Sequence, residues 1–188
     1  QWHERAFGVG CIPTARTWPV GHHAKRRRLT MGRKDVIRRE GDGFHLAIRP
    51  DDRRIVVDLV TQLRDAVLAG AGEDRFRRLF PAAYHQDPKH DEEYQRLMHG
   101  ELLASRLDSL NRTYALLTRD GEADVIVLTE NELDALMKSV NDLRLVLGTL
   151  LDIQENEPAI DEDDPAYPQF HLYSYLGWLL EWIIRVRW

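Results

Sequence analysis

His85, His90 and His99 are the side chains of this sequence best suited to hold a metal. Imidazole is a common zinc ligand, but a site needs two or three ligands brought to one point. Only His90 and His99 fit on a single helix, and their spacing leaves them more than two turns apart. Surface histidines are the better reading, and neither a metal nor a cofactor is expected. The acidic stretch Glu155, Glu157, Asp161, Glu162, Asp163 and Asp164 resembles a calcium loop in charge alone. It has no glycine and no D-x-[DN]-x-[DN]-G pattern. A solvated linker, or a docking surface for a basic partner, fits it better. Arg75, Arg77 and Arg78 surround Phe76, with Leu79 and Phe80 behind them. Such a cluster suits phosphate, and these arginines are the nucleic-acid-binding candidates. The plainer reading is a helical turn with its aromatics buried and its arginine heads in water. G-x-S-x-G, P-loop, H-E-x-x-H and G-x-G-x-x-G are all absent. The one cysteine, Cys11, has no context that would activate it, so no catalytic residue is assigned and no enzyme is expected.

The C-terminus is unusually aromatic: Tyr173, Tyr175, Trp178, Trp182 and Trp188. A core takes two or three of these, and the remainder leave an apolar stripe of the kind found at partner or homodimer interfaces. Tyr175, Trp178 and Trp182 are the partner-binding candidates, with Arg144 on the exposed edge of the helix before them.

Helices must carry these residues. Thr129 and Glu132 have the spacing of a capping box, and apolar residues recur from Leu133 to Leu150 at steps of three or four. This predicts a helix over 130–151, with Gly148 as a close-approach point or a fraying end. Further helices are expected after a cap at Asp51 or Asp52, from near Asp91 to a close at Asp120-Gly121, and over about 170–186. Residues 43–49 and 125–128 are short strands that could pair, and Pro50 ends the first. The fold class is mainly α: a bundle of about four main helices with a small two-stranded β element.

Charge divides the chain. Residues 1–40 hold 10 Lys/Arg against 3 Asp/Glu, whereas residues 41–188 hold 16 against 28. The acidic part repels nucleic acid over most of its surface. Residues 1–30 show no period, carry Trp2, Trp18 and the basic run Lys25–Arg28, and precede Met31. They read as a disordered or non-native extension, and 31–188 as one helical regulatory domain. No apolar run reaches membrane-spanning length, and a single cysteine fits a reducing cytoplasm.

The runs Phe76–Tyr84, Glu93–Met98, Asn141–Thr149 and Tyr175–Leu179 together resemble an actinobacterial domain family of unknown function, the AosR-type oxidative stress regulators. The likeness spans roughly 40–186, and NDLRLVLGT at Asn141–Thr149 is its most specific part. It implies a cytoplasmic regulator of transcription acting through a protein such as a sigma factor, with DNA reached through that partner. Direct DNA binding is the alternative. Thiol sensing within a chain needs two cysteines. Cys11 stands alone outside the resembling region, so no sensing cysteine is carried over.

Overall fold

The computed structural model describes residues 36–70, 74–81, 83, 87–119, 121, 123–153, 161 and 163–187. Three strands, β1 (Ile37–Glu40), β2 (Gly43–Leu46) and β3 (Ile126–Leu128), form one antiparallel sheet in the order β1-β2-β3. Four main helices pack with it: α1 (Pro50–Gly70), α2 (Pro88–Arg119), α3 (Glu130–Leu150) and α4 (Tyr167–Arg187). The expected mainly α fold is observed, with three strands rather than two.

The expected pairing is β2 on β3, in the register Phe44 to Leu128 and Leu46 to Ile126. Those four side chains are buried with Ile37 and Ile48, so one sheet face is core. The unexpected strand is β1. Only Ile37 of its four residues is buried, so Arg38, Arg39 and Glu40 hide the alternation. The legible signal was the turn: Gly41 and Asp42 join β1 to β2, and Gly41 takes a φ of 61° at the first central position, where such a hairpin favours glycine.

Three helices begin earlier than the periodicity indicated. Pro50 opens α1, Pro88 opens α2, and Pro168 sits in the first turn of α4. Proline has no N–H to lose at the first helical position, and its fixed φ suits a helix start. The cap position of α1 therefore belongs to Arg49, whose carbonyl accepts from Arg53 N at 2.8 Å, not to Asp51 or Asp52.

Helix α3 is central. Its start carries the full capping box: Thr129 accepts from Glu132 N, and the Glu132 carboxylate accepts from Thr129 N at 2.8 Å. Its end is a Schellman arrangement. Asp152 takes φ 53°, Asp152 N donates to Thr149 O, and Ile153 N donates to Gly148 O. Helix α2 flanks α3 on one side and α4 on the other, both antiparallel. The expected exposed edge on α3 is therefore narrow, because the buried face also takes in Ser139, Asp142 and Thr149. Ser139 is satisfied by Thr113 at 2.9 Å, which makes its burial affordable.

Candidate partner-binding surface

The specific motif Asn141–Thr149 works inside the molecule. Asp142 forms an ion pair with Arg106 of α2, and the second Arg106 terminus donates to Leu79 O at 2.6 Å. One guanidinium thereby fastens α2, α3 and the turn after Asp74–Phe76 together. Desolvation pushes the Asp142 carboxyl above its ordinary value, and Arg106 only partly opposes this. Arg144 lies over the Tyr173 ring at 4.9 Å and beside Gly177, where an added Cβ would meet Arg144 Nε at 3.3 Å. Gly148 is equally tight: a Cβ there would be 3.1 Å from Tyr173 Cε2 and 3.2 Å from Arg78 Nη1. Gly148 is thus a close-approach point within the helix, which ends at Leu150 with Asp152 as the left-handed residue beyond its cap.

Of the partner-binding candidates, Tyr175 is a core side chain, 1% exposed. Burial and the neighbouring Asp52 carboxylate hold its hydroxyl protonated, well above the ordinary tyrosine value. It therefore presents no surface to a partner. Trp178 and Trp182 are half-buried and pack against the core. Trp178 sits 5.6 Å from the Tyr175 ring, and Arg185 covers Trp182 at 5.6 Å. One turn apart on α4, the two indoles form a ridge, and Ile184 is exposed on the same helix. Beside Trp178 lies a pit of about 20 Å³ lined by Arg49, Asp52 and Tyr175, enough room for one water. Arg144 clamps α4 to α3 through Tyr173 rather than standing at the edge.

The three arginines of the basic cluster do not converge. Arg75 covers the Phe76 ring at 4.9 Å, Arg77 pairs with Asp74 at 2.8 Å, and Arg78 donates to Ile153 O at 3.4 Å. Phe76 and Leu79 are buried and Phe80 is half-buried, which is the plainer of the two readings. His90 pairs with Asp87 and His99 packs on Phe80. Among the described residues no group of three His, Cys, Asp or Glu side chains could hold a metal. His85, Cys11, the 1–30 segment, Trp188 and, of the acidic stretch, residues 154–160 and Glu162 lie outside the described residues. No helix among the described residues is long and apolar enough to cross a membrane.

Sequence reasoning passed over Arg53. It is 4% exposed, donates from Nε to Leu117 O at 2.5 Å and from Nη1 to Ala123 O at 3.2 Å, and so caps the end of α2. It also lines a shallow groove of about 410 Å³ between the start of α1 and the end of α2. An arginine four residues into a helix carries no mark of such a role, because its partners are distant in sequence.

These features define a small, mainly helical domain with a half-buried aromatic pair on α4. The chain belongs to the family described as Domain of unknown function (DUF2017), whose model matches residues 31–186. It is similar to the oxidative stress regulator AosR of Mycobacterium bovis (strain ATCC BAA-935 / AF2122/97) and of Mycobacterium tuberculosis (strain ATCC 25618 / H37Rv). With each it is 26% identical over 139 residues, 68% of this chain. The match covers 64% of the length of those relatives. No solved structure matches the chain.

Proposed function

We propose that this chain is a non-enzymatic, cytoplasmic regulator of transcription in the oxidative stress response, acting through contact with a protein such as a sigma factor. The relatives bear the name of oxidative stress regulators. The observation that carries the contact mode is the Trp178–Trp182 pair, two half-buried indoles one turn apart that pack against the core. Rigid aromatic anchors of this kind dominate binding energy at interfaces. The net charge of −12 over residues 41–188 suits a protein partner better than DNA. The test is affinity capture of the full chain from oxidant-treated cells, read by mass spectrometry. A transcription component recovered with the wild type and lost with Trp182→Ala is the expected result. Recovery of unrelated metabolic enzymes alone would overturn the reading.

A further inference from the structure

We propose that Met137 is an oxidation site for peroxide, with Arg187 as the residue that assists the oxygen transfer and holds the sulfoxide formed. The inference deepens the proposed function and rests on it for peroxide as the chain's signal. Within the family match the sulfur atoms are those of Met31, Met98 and Met137, since Cys11 precedes it. Met137 lies on α3, half-buried and packed against the core. Arg187, in the last turn of α4, reaches across to it. Its Nη1 donates to Asp134 and to Met137 Sδ, the latter at 3.9 Å, and carries a proton for each. Its Nε lies 4.0 Å from Glu130. Glu130, Asp134 and Met137 follow one another at steps of four and three, on one face of α3, so a single guanidinium serves all three. The Arg187 and Asp134 side chains are 31% and 33% exposed, which lets a molecule as small as peroxide in from solvent. Met98 is also half-buried, but no hydrogen bond reaches its sulfur among the described residues.

A thioether is a weak hydrogen-bond acceptor, so the Arg187 N–H makes little of its bond to sulfur. Oxidation changes that. The Sδ lone pair attacks one oxygen of hydrogen peroxide, and the O–O bond breaks. Sulfur gives up an electron pair, and the departing oxygen takes it. The proton on the transferred oxygen passes through solvent to the departing hydroxide, leaving a sulfoxide and a water molecule. Arg187 stays protonated throughout. Its N–H groups beside Sδ stabilise the charge that grows on the departing oxygen. The new oxygen stands one bond out from a sulfur 3.9 Å from Nη1, which brings it within hydrogen-bond reach of that donor. A sulfoxide pressed against an apolar core without a donor is costly, and Arg187 supplies the donor in place. The weak contact to sulfur thereby becomes a charge-assisted hydrogen bond between α3 and the last turn of α4. The modification is reversible by methionine sulfoxide reductases.

The test treats the full chain with limiting hydrogen peroxide and follows each methionine by peptide mass mapping. In the folded protein Met137 should convert about fivefold or more faster than Met98, and in urea at the same rate. Arg187→Ala should abolish the preference. Asp134→Asn, which breaks the ion pair but leaves the arginine beside sulfur, should keep it. A purely structural arginine would make the two variants alike. With Met98 replaced by leucine, the oxidised protein should keep its thermal melt, whereas oxidised R187A should melt about 3 °C or more below its reduced form. Equal conversion of Met137 and Met98 in the folded protein would overturn the proposal. So would a preference that survives in urea or in R187A, its loss in D134N, or a melt that falls equally with and without Arg187. No partner enters this assay. A transcription component captured without a Met137 preference sinks this inference alone, and a preference without such capture sinks the proposed function alone.

Discussion

Asp142 is buried against α2 with its carboxylate on Arg106, and desolvation raises its proton affinity by more than the arginine lowers it. The folded pKa then lies above the unfolded one, so protonation favours folding. This contribution is complete below the unfolded value of about 3.9 and is lost as pH rises through the raised folded value. Stability relative to Asp142→Asn should therefore fall as pH increases from about 4, as measured by urea unfolding across that range. Breaking the pair is a different matter. Asp142→Ala leaves the Arg106 charge without its carboxylate and should cost about 3 kcal/mol, while the double change R106M/D142L should recover much of that. A double-mutant cycle checks both. Gly148 gives the steric counterpart. Alanine gains about 1 kcal/mol of helix propensity against a contact only a few tenths of an ångström too tight. Arg78 can swing aside, but Tyr173 is held under Arg144. Gly148→Leu has no such compensation and should destabilise by about 2 kcal/mol in a thermal melt.

At the level of elements, the joints are made by side chains reaching across the fold. Arg53 gives the last turn of α2 one hydrogen bond, at Leu117 O, and the loop after it a second, at Ala123 O. Arg53→Ala should leave Leu117 O and Ala123 O wanting donors, cost about 2 kcal/mol, and speed amide exchange in the last turn of α2 while α3 stays protected. Local signals such as the Thr129 capping box and the alternation of Phe44, Leu46 and Ile48 were legible because their chemistry lies within a few residues. Strand β1 was not, since three of its four side chains are charged and face water. The early helix starts were hidden because proline reads as a breaker until its place at the first turn is considered. The candidate surface was legible in composition but not in rotation about the helix axis. Tyr175, three residues before Trp178, lies inside while both tryptophans lie half outside, and a surplus of aromatics does not rank them. Arg144 was misplaced for the same reason, because its partners Tyr173 and Gly177 lie on another helix.

For the whole molecule, both edges of the described sheet are guarded against further strand pairing. Arg38, Arg39 and Glu40 charge one edge strand, and Arg119 occupies the carbonyl of Val127 on the other at 2.6 Å, while also pairing with Glu132. Two helical segments carry partly exposed apolar side chains among those described: Trp178 and Trp182 on α4, and the N-terminal half of α2. These two differ in rigidity. The ridge is anchored by Leu176, Leu179, Leu180 and Ile183 in the core, whereas residues 89–108 of α2 have no fully buried side chain among those described. A helix whose hydrogen bonds are exposed and whose packing is one-sided opens locally, at less cost than global unfolding. Amides of residues 91–100 should therefore exchange with an opening free energy about 2 kcal/mol or more below that of residues 109–117 on the same helix. Native-state hydrogen exchange at low denaturant measures both. A gradient along one continuous helix is the expected result, because the packing changes along it while the backbone geometry does not. Equal protection along its whole length would mean that the N-terminal half is held by contacts as firm as those of the core.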